Sequence, residues 1–400
     1  MPAGGPSPSD LAKFDAIHLF VDRAEAAAGA FTLTADNAAI VAAICERTDG
    51  LPLAIELAAA RIRLLSPAEL LERLARQLPV LTGGPRDQPT RLRTVRDAIA
   101  WSYDLLSPNE QALFRRLAVF TGGVSLPDAE AFADAFGDPV PTLDRLTTLV
   151  NGSLLHRREF PPGQSRFGML EMVREFALER LAVMGEVDAA RAAHAAVCLG
   201  FAERTEEALW AAASERLLNQ YEIEHDNLRA ALAWTLEHDP ESALRLAAGV
   251  SFFWSKRGHW NEGRAWLEQA LAADAGIETA ARAAALGRAG GIASEQGDFT
   301  AARSWLESSR ALAERLGEAG LAARAERGLG LVASNQSAFE RATALFADAL
   351  DHFRALDDQP GIARCLNDLG LVASRQGDQE LAVAYQEEAL PIARALGDDL

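Results

Sequence analysis

The chain has 400 residues, 49% of them apolar and 24% charged, enough for two to four globular domains of roughly 100–200 residues each. Its formal charge of −18 is unevenly spread: residues 1–190 hold 19 basic and 25 acidic side chains, residues 191–400 hold 20 and 32. The second half would repel a phosphate backbone, which excludes non-specific nucleic-acid binding there and favours a protein or peptide partner. No run approaches the ~18 apolar residues of a membrane span, and the start Met1-Pro2-Ala3-Gly4-Gly5 lacks a signal-peptide core, so a cytoplasmic protein is expected.

Residues 1–13 are rich in Pro, Gly and Ser and read as a disordered tail. A helix follows over Phe14–Ala28, with Phe14, Ile17, Phe20 and Val21 on one face. A second helix is predicted from an N-cap at Thr34, with Ile40, Val41 and Ile44 as its apolar face. Gly50 can close that helix in the left-handed conformation. Pro52 then suits the first turn of the next, where Leu53, Leu57, Ile62 and Leu65 recur at helical spacing. This corner is either a simple helix–helix packing turn or one that presents Pro52 and a helix N-terminus to a bound phosphate or base. Ser66-Pro67-Ala68-Glu69 is a capping box and opens a helix to about Gln77, completing a four-helix unit over residues 14–80.

Two Gly and two Pro between Leu81 and Thr90 mark residues 81–91 as a linker. A helix over Val95–Leu105 and a second capping box, Ser107-Pro108-Asn109-Glu110, lead into an apolar helix with Leu113, Phe114, Leu117 and Phe120, which Gly122-Gly123 ends. Helices at Pro127–Ala135 and Pro141–Leu149 come next. Two strand-like runs, Ser153–Phe160 and Ser165–Leu170, are joined by Pro161-Pro162-Gly163-Gln164, and a helix over Glu171–Met184 closes the unit. Helices with a terminal hairpin predict a winged-helix domain over residues 92–185.

From Asp188 onward only helices are predicted. Gln296-Gly297-Asp298, Gln336-Ser337-Ala338 and Gln376-Gly377-Asp378 recur every 40 residues, and the same step relates Gly290, Gly330 and Gly370. Arg257-Gly258-His259-Trp260 looks like the same turn one unit earlier. A small residue where helices touch and a Gly at the turn is the logic of a helix–turn–helix repeat, with helices longer than the ~34-residue tetratricopeptide unit allows. The expectation is a bridging segment over 186–240 and a solenoid with a concave groove over 241–400, incomplete at its C-terminal end. The whole is mainly α: a small helical domain, a winged helix with a short β-hairpin, and a tetratricopeptide-like α-solenoid.

Chemistry-bearing motifs are sparse. No GxxxxGK[ST], GxSxG or HExxH occurs, and no catalytic residue is predicted. Cys45, Cys198 and Cys365 are scattered without a CxxC pair, and the seven histidines show no ligand spacing, so neither disulfides nor a metal site is expected. The pairs Glu206–Glu207 and Glu387–Glu388 read as solvated helix faces. Arg157, Arg158 and Arg166 on the hairpin are candidates for a DNA or phosphate contact, beside the plainer reading of a charged hairpin. Arg86, Arg91, Arg93 and Arg96 are either a clamp for a nucleotide or acidic partner, or ordinary surface. Trp254, Trp260 and Trp266 read as inter-helix packing.

The segments Gly50–Arg61, Leu92–Gln111, Phe114–Gly123 and Arg166–Ala177, in that order, resemble the STAND class of signal-transduction NTPases. More specifically, the chain is similar to NB-ARC-type bacterial regulators with tetratricopeptide repeats, many of them LuxR-type or antibiotic-pathway transcriptional regulators. The resemblance implies that the helical and winged-helix domains form a nucleotide-dependent latch and that the repeats bind an inducer or partner protein. ATP or ADP would be the family's cofactor, held by a P-loop domain supplied in cis or trans, with Gly50, Leu51, Pro52 and Leu53 on the nucleotide side. Family members often carry a Met-His-Asp run in the winged helix, and Met169-Leu170-Glu171 stands there instead, without the phosphate-sensing His. Lacking the P-loop, the chain is expected not to hydrolyse ATP and reads as a fragment, a truncated product or half of a split protein. The alternative is a winged-helix DNA binder with a protein-interaction repeat domain; an enzyme acting in the groove has no motif behind it.

Overall fold

The computed structural model describes residues 14–28, 31–48, 55–56, 58–59, 61–63, 65–74, 95–137, 140–159, 163–211 and 214–396. The chain forms two compact units, Met1–Ala190 and Arg191–Leu400. The first begins with α1 (Asp15–Ala28), α2 (Ala38–Arg47), a 3-10 turn at Arg61–Arg63 and α3 (Pro67–Leu74). Ile17, Phe20 and Ala24 of α1 and Val41, Ile44 and Cys45 of α2 are buried, so the helical periodicity falls on the core as expected. Ser66 and Glu69 form the predicted reciprocal cap of α3: the Ser66 N–H donates to Glu69 Oε2 at 2.9 Å and the Glu69 N–H to Ser66 Oγ at 3.3 Å.

Thr34 does not cap α2. The helix starts four residues later, because the Asn37 amide organises the entry instead: its Oδ1 accepts the Thr34 N–H at 2.8 Å and its Nδ2 donates to the Thr32 carbonyl at 2.9 Å. Short polar side chains offer the backbone such an alternative to helix bonds. The Gly50–Leu53 corner and residues 75–94, including Arg86, Arg91 and Arg93, lie outside the described residues. Ile62 sits in the 3-10 turn rather than on a continuous α-helix.

The winged helix comprises α4 (Val95–Asp104), α5 (Pro108–Leu117), β1 (Val124–Ser125), α6 (Leu126–Asp134), α7 (Thr142–Asn151), β2 (His156–Glu159), β3 (Ser165–Gly168) and α8 (Glu171–Val183). Ser107 and Glu110 form the second predicted capping box, and Ser125 caps α6 by accepting the Asp128 N–H at 3.2 Å. Tyr103, Phe114 and Phe176 pack with ring centroids 5.5–6.5 Å apart, tying α4, α5 and α8 together. The sheet is antiparallel with order β1-β3-β2, pairing Val124 with Phe167 and Arg158 with Arg166.

The sequence predicted a two-stranded hairpin; β1 makes it three. A two-residue strand has too little alternation to be seen, and its pairing is a tertiary event. Helix α5 ends earlier than predicted, at Leu117 with Ala118 as its C-cap and Phe120 beyond it, so Gly122-Gly123 does not end the helix and leads into β1 instead. A Cβ at Gly123 would lie 2.8 Å from the Phe167 carbonyl oxygen, and its φ is +76°, so the close approach requires glycine.

In the second unit, α9 (Val187–Ala211) and α10 (Glu215–His238) precede four helix pairs. These are α11 (Pro240–Arg257) with α12 (Trp260–Ala273), α13 (Ala280–Glu295) with α14 (Phe299–Leu316), α15 (Ala319–Asn335) with α16 (Phe339–Ala355), and α17 (Gln359–Gln376) with α18 (Gln379–Leu396). The 40-residue step is thus one helix pair. The turn inside each pair places one residue at positive φ: Gly258, Gly297, Ser337 and Gly377. Where first and second helices touch, Gly330 leaves room for the Phe346 ring; a Cβ there would fall 2.6 Å from Phe346 Cε1. Among the described residues, no helix is long and apolar enough to cross a membrane.

Candidate ligand groove

The first helices of the four pairs, α11, α13, α15 and α17, share a cavity of about 400 Å³. Its lining falls in columns one repeat apart: Ser251, Gly291 and Leu331; Ser255, Glu295 and Asn335; Arg324 and Arg364. Phe252, Ile292, Leu306, Leu331 and Phe353 supply apolar wall. Five cationic side chains (Lys256, Arg288, Arg324, Arg327 and Arg364) face it, against two anionic ones, Glu295 and Asp358. That is the reverse of the balance of residues 191–400 as a whole.

The cations are held in different ways. Arg288 Nη2 donates to Glu206 Oε1 at 2.7 Å; burial works against its charge and Glu206 opposes that effect. Arg327 Nε donates to Asp368 Oδ2 at 2.6 Å, and Arg324 lies 3.8 Å from Asp358. Lys256 Nζ sits 5.3 Å from the Phe252 ring centroid and is in no ion pair among the described residues. Arg364 packs over the same ring, its Cζ 5.9 Å from the centroid. Glu295 is occupied by Ser255, whose hydroxyl lies 2.6 and 2.7 Å from its two oxygens. The arrangement can receive an anionic group beside an apolar body.

The groove lies on the solenoid predicted from the repeats, but its lining residues carry no motif of their own; they emerge as inner columns when the repeats are aligned at their 40-residue step. Glu206, expected on a solvated helix face, is not free there. Glu206 instead pairs with Arg288, 82 residues away. Trp254 is fully buried and Trp266 packs against the core, as predicted, but Trp260 is 41% exposed and donates its indole N–H to the Ser255 carbonyl at 3.0 Å.

The hairpin arginines are not equivalent. Arg166 Nη2 donates to the carbonyls of Gly122 and Gly123 at 3.2 and 2.9 Å, fastening the hairpin to the turn before β1. Arg157 Nε donates to Ser165 Oγ at 2.9 Å. Arg158 is exposed and in no ion pair among the described residues. Arg96 is half-buried, pairing with Glu179 at 2.5 Å. Leu170 is the N-cap of α8 and makes no side-chain cap bond there.

Glu222, His225 and His259 bring ligand-type atoms within 4.8 Å of one another, a juxtaposition invisible in the dispersed histidines of the sequence. His225 Nε2 also accepts the Trp254 indole N–H at 3.4 Å and lies 3.3 Å from Glu262 Oε1. Burial lowers the His225 pKa, and Glu262, held by Arg229, has its own pulled down to about 2. The group ties α10 to the start of the repeats.

Comparison with known proteins fits these two folds. A winged helix-turn-helix domain model matches residues 106–182 and a tetratricopeptide repeat model matches residues 321–395. A protein of Mycobacterium tuberculosis named "Putative HTH-type transcriptional regulator" is 37% identical over 368 residues, covering 86% of this chain and 40% of that protein. An uncharacterized protein of the same organism is 42% identical over 177 residues, 44% of this chain and 45% of its own length. Among solved structures, a Signal Transduction ATPase with Numerous Domains (STAND) protein with a tetratricopeptide repeat sensor from Pyrococcus horikoshii aligns with 98% of this chain and 54% of its own, at 16% identity and a TM-score of 0.47. The chain spans well under half the length of the regulators it matches. It carries a winged-helix domain and tetratricopeptide repeats, and over most of its length it is similar to proteins named as HTH-type transcriptional regulators.

Proposed function

We propose that this chain is the regulatory and sensor portion of a bacterial STAND-type transcriptional or signalling regulator. The repeats receive an inducer or partner in the groove, and the helical and winged-helix domains act as a latch on a nucleotide held by a P-loop domain in cis or trans. In that arrangement Gly50–Leu53 lies on the nucleotide side, with Pro52 against the base, and Leu170 contributes no phosphate contact. The observation that carries the reading is the shared cavity of about 400 Å³, a size suited to a small ligand and lined in register by four successive repeats. The sensor half is tested by fluorescence titration with the neutral probe N-phenyl-1-naphthylamine, which is expected to bind the chain and to lose that binding in Gly291→Trp. The latch half is tested by calorimetry with ADP: the chain alone is expected to give no binding heat, and tight binding would remove the need for a separate P-loop domain.

The DNA-binding reading rests on Arg158, an exposed cation on the wing. Against it stands α7, the helix such a fold inserts into the major groove. Its exposed residues include Leu143, Asp144 and Thr147, and its single cation, Arg145, is buried. Fluorescence anisotropy with a 30-bp duplex at low salt separates the two. Binding that weakens with salt and disappears in Arg157→Ala/Arg158→Ala would establish the DNA reading; no change in anisotropy would discard it.

A further inference from the structure

We infer that the groove selects a small amphiphilic anion: a carboxylate, phosphate or sulfonate attached to an apolar body. The inference rests on the sensor reading above and adds the ligand's chemistry to it. Lys256 and Arg364 approach one aromatic ring, Phe252, from α11 and α17, helices three repeats apart. An ammonium on a ring face is attracted by the ring's quadrupole yet keeps its N–H donors for an anion. Lys256 is one of only two lysines in the chain, and it is in no ion pair among the described residues. The same cavity also carries apolar wall from Leu306, Leu331 and Phe353.

Gly291 is consistent with an open groove at this point. It lies inside α13, where glycine costs about 1 kcal/mol relative to alanine. Most glycines in these helices have a packing reason; Gly287, Gly290, Gly328 and Gly330 each face a side chain that a Cβ would press, within 3.2 Å. At Gly291 nothing lies within 4 Å of the added carbon, which would project into the cavity. Gly291 is exposed on the groove wall, so packing does not account for that glycine, and its position leaves the groove clear for an occupant. The cavity's volume of about 400 Å³ is of small-molecule size, which favours such a ligand over a peptide laid along the repeats.

The test uses 8-anilinonaphthalene-1-sulfonate and its sulfonate-free parent, N-phenyl-1-naphthylamine, on the full chain by fluorescence titration. The sulfonate is expected to bind at least 5-fold tighter than the parent and to weaken 5- to 20-fold in Lys256→Met, which keeps the apolar stem. The parent should change less than 2-fold in that variant, and Gly291→Trp should abolish both. Thermal melts confirm that each variant is folded, and Arg364→Met provides a second removal of charge. Equal binding of the two probes, unaffected by either charge removal, would overturn the anion preference while leaving a groove that binds. Failure of both probes, or binding of both in Gly291→Trp, would overturn the groove as a sensor site as well. Displacement of the sulfonate by hexaglutamate at lower concentration than by a monocarboxylate such as decanoate would transfer the site to an acidic peptide and overturn the small-molecule assignment.

Discussion

Arg327 on α15 donates its Nε–H to Asp368 on α17 across 2.6 Å, joining two repeats at positions 41 residues apart. Asp368 is only 6% exposed, and burial raises its pKa while Arg327 opposes the rise. Removing one partner of a buried pair costs about 3–5 kcal/mol, because the other charge is stranded. Arg327→Met should therefore lower stability by about that much in urea unfolding, and Arg327→Met/Asp368→Leu should recover most of it. A folded-state carboxyl held above its unfolded value has its stabilising effect below the unfolded pKa and loses it as pH rises. The Arg327→Met deficit should accordingly be smaller at pH 5 than at pH 8; the opposite order would refute the assignment.

Glu186 has the opposite sign. Its carboxylate receives Arg115 at 2.7 and 2.9 Å and Arg116 at 2.9 and 3.2 Å. The hydrogen bond from Arg115 is the largest cause that brings its pKa down to about 2, with burial opposing and Arg116 adding. A depressed carboxyl stabilises above its unfolded pKa and loses that contribution as pH falls through the folded one. Glu186→Gln should cost on the order of 1–2 kcal/mol at pH 7, after allowance for solvent screening. It should also flatten the acid limb between about pH 4.5 and 2, read by thermal melts across that range.

Ser337 stands at φ 62° where neighbouring repeats carry Gly258, Gly297 and Gly377, and Asp357 at φ 55° where the preceding repeat has Gly317. A side-chain-bearing residue there costs roughly 1–2 kcal/mol, partly offset by glycine's greater freedom when unfolded. Ser337→Gly and Asp357→Gly should each stabilise by about 0.5–1 kcal/mol, seen as a rise of a few degrees in Tm. Gly297→Ser should do the reverse. A fall in Tm for either glycine substitution would contradict the strain.

Two helical glycines, Gly330 and Gly291, should respond in opposite directions to alanine. Gly330→Ala brings a methyl to 2.6 Å from the Phe346 ring and should cost about 1–3 kcal/mol. Gly291→Ala meets open space and should gain about 0.5–1 kcal/mol from helix propensity. Chemical denaturation of the pair decides it; destabilisation by both would mean that Gly291 is held for packing.

The capping boxes at Ser66 and Ser107, the apolar stripes of α1 and α5, and the 40-residue register of the repeats were all legible in the chain itself. Each depends on interactions within about four residues, or on a step that sequence repeats directly. The entry to α2 escaped because two local polar groups, Thr34 and Asn37, compete for the same backbone and only the folded turn shows which wins. Strand β1 escaped because two residues carry no periodicity, and only pairing with Arg166 and Phe167 of β3 makes them a strand.

In the candidate site the inner columns follow the 40-residue step, but the long-range contacts that hold its cations escaped in the same way. Glu206 reaches Arg288 across 82 residues, and Lys256 meets Arg364 over one ring across 108. Chain order specifies which residue stands on the inner face of each repeat. Whether those inner faces converge on one cavity depends on how the helix pairs stack, and that is set by side-chain packing between repeats rather than by any short stretch of chain.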